Sequence, residues 1–174
     1  MSSQITLIAH NIRSAHNIGS ILRTADGMGV DQVFFTGYSP YPKSNTAQDN
    51  RLPHQAEKIH KQIAKTALGA EDSQKWTHMF DLKSCIDNLL MDGYEIWALE
   101  QSASSVQLPS FNPPKKIAII IGNETTGIDN QTLKMCKGVI EIPMLGSKES
   151  YNVTQAAAIA LYHIRFCYNN INDE

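Results

Sequence analysis

Short apolar runs bounded by turn residues alternate with amphipathic stretches along the whole chain, the pattern of an α/β protein with a parallel sheet. The runs at residues 5–9, 33–36, 95–99, 116–121 and 139–142 predict strands. They are rich in β-branched residues and almost continuously apolar, as strands covered on both faces are. Between them, helical periodicity predicts helices over residues 18–28, 54–65, 82–91, 130–136 and 153–168. In the last of these, Val153, Ala156, Ala157, Ala160, Leu161, Ile164 and Cys167 fall on one stripe. Its alanines allow another helix to approach closely, either as core packing or as a subunit interface. Residues 37–51 and 101–115 are the irregular connections. No internal repeat or linker divides the sequence, so a single domain over residues 1–174 is expected.

Composition bounds the class. At 174 residues, 42% hydrophobic and 18% charged, the chain can bury a core without disulfide or metal staples. Its formal net charge of −2 gives no bulk attraction to a polyanion or an anionic membrane. The charge is uneven, however. Residues 1–65 carry seven basic and four acidic side chains, a balance of +3, and residues 66–174 carry eight and thirteen, a balance of −5. A polyanion-binding surface is therefore sought where Lys43, Arg51, Lys58, Lys61 and Lys65 outnumber Asp49 and Glu57. A solvated helix face is the plainer reading of such a run. Cys85, Cys136 and Cys167 are odd in number and form no C-x-x-C pair, which fits a reducing cytosol and offers no metal site. The longest apolar stretch, residues 156–162, is too short for a bilayer, and no basic leader precedes residue 5. A cytoplasmic protein with no membrane contact is expected.

Three stretches carry candidate chemistry. Gly122-Asn123-Glu124-Thr125-Thr126-Gly127 follows the strand at 116–121 and precedes a short helix that Asp129 is placed to cap. It is not a phosphate-binding P-loop, because Ile128 and Asp129 stand where Lys and Ser/Thr are needed. Gly27-Met28-Gly29 lacks the third glycine of a dinucleotide fingerprint. What remains is a glycine loop at the carboxyl end of a strand, where open α/β sheets bind ligands. There Glu124 is either a cap for backbone N–H groups or a ligand contact. Asn17-Ile18-Gly19-Ser20-Ile21-Leu22-Arg23-Thr24 opens the first helix, with Asn17 suited to the N-cap. Arg23 is either a surface side chain or a fork for phosphate or carboxylate. Ser150-Tyr151-Asn152-Val153 opens the last helix, where Ser and Asn suit a cap and the free N–H groups suit a ligand.

In order and spacing these stretches resemble the signature motifs of the SpoU (TrmH) family, the ribose-methylating branch of the SPOUT class of RNA methyltransferases. The first runs from His10-Asn11-Ile12-Arg13-Ser14 through Asn17 and Arg23 to Ala25. The second is Ile120-Ile121-Gly122-Asn123-Glu124-Thr125-Thr126-Gly127-Ile128, and the third runs from Ile142-Pro143-Met144 to Ser150-Tyr151-Asn152-Val153-Thr154-Gln155-Ala156. The resemblance implies a parallel sheet with helices on both faces and a C-terminal deep trefoil knot, a topology that general rules of chain connection disfavour.

It also implies S-adenosylmethionine as cofactor, RNA as substrate and a homodimer. The cofactor pocket is expected from Leu99, Glu100, Gly122, Ile142, Met144, Leu145, Ser150 and Tyr151. Tyr151 departs from the Leu or Met more usual there. The catalytic set is expected to be Asn17, Arg23, Glu124, Ser150 and Asn152, with Asn17 orienting Arg23 or the ribose. Contacts to RNA are expected from Arg13, Arg23, Lys43, Arg51, Lys58, Lys61 and Lys65, with Tyr38 and Tyr41 as stacking candidates. No metal is implied. The expected reaction is methyl transfer to a ribose 2′-hydroxyl of tRNA or rRNA, tRNA slightly favoured. The rival readings are a base methyltransferase of the same class and a non-catalytic RNA-binding or assembly protein that keeps the fold.

Overall fold

The computed structural model describes residues 3–44 and 49–170, with residues 167–170 as backbone only. Its strands are β1 (Gln4–His10), β2 (Gln32–Thr36), β3 (Trp76–Met79), β4 (Glu95–Leu99), β5 (Val106–Gln107), β6 (Lys116–Ile121) and β7 (Gly138–Glu141). They form one sheet in the order β3-β2-β1-β6-β4-β7-β5, and every pairing is parallel. β1 and β6 pair from Gln4 opposite Lys116 to Ala9 opposite Ile121, and both are buried along almost their whole length. β7 inserts between β4 and β5, two strands that precede it in sequence and are joined by residues 100–105.

Helices α1 (Ala15–Gly27), α2 (Pro53–Ala67), α3 (Ala70–Ser73) and α6 (Val153–Asn170) cover one face, while α4 (Leu82–Met91) and α5 (Asn130–Met135) cover the other. The five expected strands and five expected helices are all present. β3, β5 and α3 were not expected. β3 is an edge strand with no buried residue, and β5 is two exposed residues, so neither carries a buried-strand signature. On α6 the expected stripe is buried at Ala157, Ala160, Leu161 and Ile164; the Cys167 side chain lies outside the described residues.

Two close contacts fix the helical face. Gly19 sits at the crossing of α1 and α2, where a Cβ would fall on the Ile63 carbonyl oxygen and on Thr66 Oγ1, and 2.9 Å from Ala67 N. Thr66 Oγ1 donates to the His16 carbonyl at 2.7 Å across the same crossing. On α6, Arg165 donates to the carbonyls of Met28, Ser3 and Gly29 at 2.9, 2.8 and 2.5 Å. One guanidinium thus ties the last helix to the start of β1 and to the turn after α1.

Candidate functional site

A cavity of about 690 Å³ opens at the carboxyl ends of β4, β6 and β7, the end of an open parallel sheet where ligands bind. Of the eight residues expected around a cofactor, seven line it: Leu99, Glu100, Gly122, Ile142, Met144, Ser150 and Tyr151. Leu145 does not. Its side chain is 97% exposed and borders an adjoining recess with Pro143 and Gln107. Tyr151 is 41% exposed, so the phenol in place of an aliphatic residue is not sealed inside the protein.

Close packing shapes the glycine loop. A Cβ on Gly122 would fall 2.6 Å from Ile128 Cγ1 and 2.7 Å from the Gly127 carbonyl, so the loop closes tightly over this position. Gly127 is left-handed, with φ +65, and lies against the Glu100 carboxylate. Glu100 itself accepts from Ile128 N at 3.0 Å and Gln101 N at 2.8 Å, which joins the end of β4 to this loop. Gln101 Nε2 donates to the Glu149 carbonyl at 2.7 Å, which fixes the opposite wall.

Glu124 is where the first two motifs meet. Its carboxylate accepts from Arg13 N at 2.9 Å, Ser14 N at 3.1 Å and Asn17 Nδ2 at 2.8 Å. Partial burial pushes its pKa up, but the N–H groups of Arg13, Glu124 itself and Ser14, together with the Asn17 amide, outweigh that and hold it below the usual carboxylate value. Glu124 is therefore ionised at neutral pH and a weak base. It also lies favourably at the positive end of α1. The cap of α1 is Ser14, whose Oγ accepts from Asn17 N at 3.3 Å. Asn17 was expected there; its side chain reaches Glu124 instead, because the helix begins three residues earlier than its apolar periodicity suggests. Asn17 therefore orients on Glu124, and no contact joins it to Arg23 among the described residues.

Arg23 stands on an exposed stripe of α1 with His16 and Gly27 and does not line the cavity. Among the described residues nothing pairs with it. Asn152, not Ser150, caps α6: its Oδ1 accepts from Thr154 N at 2.9 Å and its carbonyl from Ala156 N at 2.9 Å. Asp129 caps α5 as expected, accepting from Gln131 N and Thr132 N.

The expected RNA face divides into free and engaged side chains. Lys58, Lys61 and Lys65 are exposed along one face of α2. Lys61 and Lys43 both pair with Glu57, at 3.5 and 3.2 Å. Arg13 is exposed where β1 runs into α1. Arg51 departs from the expectation. Its guanidinium donates twice to Asp49 and to the carbonyls of Tyr41 and Pro42, and its Cζ lies 3.6 Å from the centre of the Tyr41 ring. Only 15% exposed, it is an internal clamp of this loop. Tyr41 stacks on His78 with ring centres 3.9 Å apart and so presents no free face to an RNA base.

Among the described residues no cluster of histidine, cysteine, aspartate or glutamate is arranged to hold a metal ion, and no helix is long and apolar enough to cross a membrane. Burial pushes the thiols of Cys85 and Cys136 up to about 12 and about 11, so neither is a nucleophile.

The sequence signature of the SpoU rRNA methylase family matches residues 44–162. The chain belongs to that family. The SpoU match covers the second and third motifs, and comparisons with single proteins extend the likeness over the first. A Staphylococcus saprophyticus protein assigned by its name to the TrmH family of tRNA/rRNA methyltransferases is 29% identical over 97% of this chain and 61% of its own. The 23S rRNA (guanosine-2′-O-)-methyltransferase RlmB of Xanthomonas axonopodis pv. citri is 28% identical over 91% of this chain and 57% of its own. This SpoU chain thus spans about three fifths of the length of the curated relatives it matches. In fold it matches the SpoU methyltransferase AviRb of Streptomyces viridochromogenes in complex with AdoMet, with a TM-score of 0.79, 20% identity, and coverage of 99% of this chain and 60% of AviRb.

Proposed function

We propose that this chain binds S-adenosylmethionine in the cavity beside β4, β6 and β7 and methylates a ribose 2′-hydroxyl of tRNA or rRNA. The charge of the cavity carries the reading. Glu100, Glu124, Glu141 and Glu149 line it, and among the described residues no lysine, arginine or histidine does. A nucleoside triphosphate is repelled there. A ligand with a sulfonium and an ammonium against one carboxylate is attracted. The volume of about 690 Å³ falls within the roughly 300–1,000 Å³ typical of sites for ligands of this size. Leu99, Ile121 and Ile142 offer apolar surface to an adenine, while Ser150 and Asn152 offer polar atoms. The 2′-O-methyltransferase activity in the name of the RlmB relative supports the ribose as target.

When bound, S-adenosylmethionine supplies a sulfonium-activated methyl carbon that the ribose oxygen takes as the C–S bond breaks and the hydroxyl proton passes to water. Arg23 stays protonated, so its part is to bind phosphate beside the ribose or to stabilise charge on the oxygen, not to act as a base. Glu124 positions Asn17 and the start of α1. Arg23 does not line the cavity of its own chain, which favours a homodimer in which it serves the partner's cavity. The exposed Ile159, Tyr162 and Phe166 on α6, which packs on α1, give such a dimer an apolar face. The insertion of β7 between β4 and β5 supports a knotted passage of the segment that follows it. The protein is taken to act in the cytoplasm, on RNA.

Titration calorimetry with S-adenosylmethionine, alongside labelled methyl transfer to RNA, tests this reading. Arg23→Lys is expected to keep cofactor binding and lose most transfer, since one ammonium does not reproduce the guanidinium fork. A chain that takes up no S-adenosylmethionine overturns the reading in favour of a non-catalytic RNA-binding protein.

A further inference from the structure

Two exposed aromatic side chains stand at the carboxyl ends of neighbouring strands. Tyr38 is 59% exposed and Phe80 is 74% exposed. β2 and β3 are in register through Thr36 and Met79, and the pairing runs one residue further, with Gly37 N donating to the Phe80 carbonyl at 2.9 Å. Phe80 is thus opposite Gly37, and Tyr38 follows one residue later, so the two rings leave the ends of adjacent strands at the same end of the sheet as the cavity, Tyr38 reaching across β1 towards Asn123.

Tyr38 is held there. Its N–H donates to Asn11 Oδ1 at 3.2 Å, and its hydroxyl oxygen lies 2.8 Å from Asn123 Nδ2. Asn123 is buried and lines the cavity, and its Oδ1 accepts from Thr125 N and Thr126 N. Asn11 and Gly37 are both left-handed, with φ of 56 and 63, and a Cβ on Gly37 would collide with the Asn11 side chain. Uncommon backbone is therefore used to hold an exposed ring by its polar end and leave its faces free. A ring fixed in this way gives up little freedom on binding.

We infer that Tyr38 and Phe80 are two separate stacking surfaces of one platform, at the ends of β2 and β3, that takes unpaired nucleobases of the RNA beside the cavity. The inference rests on the reading of the chain as an RNA methyltransferase, and it names how the substrate is selected: by unpaired bases at the rim. Every base has a face that suits an aromatic ring. Exposed Arg13, at the adjoining end of β1, supplies a cation for the backbone, while the carboxylates of the cavity keep phosphates at its rim. An apolar protein partner would use the same rings but would not distinguish a base-bearing strand from an abasic one.

Fluorescence anisotropy with a short mixed-sequence single-stranded oligoribonucleotide, and with the same strand carrying abasic sites, tests the platform. Phe80→Ala and Tyr38→Ala are expected to weaken binding of the base-bearing strand by roughly 5- to 100-fold. Phe80→Trp should keep the affinity, with indole emission quenched on binding, and the abasic strand should bind weakly whatever stands at residue 80. Equal affinity of Phe80→Ala and the parent chain for the base-bearing strand overturns the inference, as does an equal loss for both strands. Phe80 is exposed, so the variant should melt with the parent. Cofactor titration and methyl transfer are read separately: their failure with stacking intact removes the reaction and leaves the platform.

Discussion

Gly19 occupies the close crossing of α1 and α2, and Gly19→Ala sets helix propensity against packing. In an isolated helix the change is favourable by about 1 kcal/mol, because alanine gives up less backbone freedom. Here the new methyl falls on the Ile63 carbonyl oxygen and Thr66 Oγ1, and 2.9 Å from Ala67 N. Thr66 can rotate away, at the loss of its bond to the His16 carbonyl. The α2 backbone can only retreat as a body, and contact at ordinary distances requires it to move by about 1 Å. That opens the interface in which Ile18, Leu22, Ile63 and Ala67 are buried. Overpacking of this kind costs about 1–3 kcal/mol, and the lost hydrogen bond adds about 1 kcal/mol. After the propensity gain, a net loss of about 1–3 kcal/mol is expected. For a domain of this size that lowers Tm by about 2–12 °C. Urea denaturation followed by far-UV circular dichroism measures it. A variant as stable as its parent, or more so, refutes the close-approach explanation of this glycine.

Arg165→Met removes a guanidinium bonded to three carbonyls and should cost about 2–4 kcal/mol in the same urea assay, with Arg165→Lys recovering part of it. Because the native pKa of Glu124 is depressed, its contribution is complete above its unfolded value and is lost as pH falls through the native one. Chemical denaturation across the acid range should therefore show Glu124→Gln less stable than the parent near neutrality, by about 1 kcal/mol for a partly solvated carboxylate, with the gap closing at low pH. Charge reversal at Lys58 and Lys61 should weaken RNA binding and flatten its salt dependence by about 0.7–0.9 logarithmic units per lost phosphate contact, read from affinity across a salt series.

The buried sheet was legible in the sequence because continuous apolar runs leave few alternatives to a strand covered on both faces. β3 was not, since Trp76-Thr77-His78-Met79 is half-polar and pairs on one side only. The residues around the cavity were found through the motif resemblance, and seven of eight expected positions line it. Composition could not reveal that the cavity is lined by carboxylates, because it gathers them from four separate stretches.

Roles were harder to read than positions. Glu124 is 107 residues from Asn17 in sequence, so their hydrogen bond had no local signal. The same holds for Gly19, whose requirement is set by Ile63, Thr66 and Ala67 of α2, more than forty residues on. Arg51 looked like part of a basic run because sequence reveals its charge but not the Asp49 and Tyr41 geometry that engages it. Tyr38 and Tyr41, three residues apart, have opposite fates: the Tyr41 ring is stacked inside the loop, and the Tyr38 ring is exposed and held by its hydroxyl to Asn123.

Labelled S-adenosylmethionine offered separately to total tRNA and total rRNA tests methyl transfer to an RNA ribose. After digestion, nucleoside mass spectrometry should recover the label as a 2′-O-methyl nucleoside from one of the two pools. Label recovered on a base, or no transfer to either pool by a chain that binds the cofactor, would rule out ribose methylation.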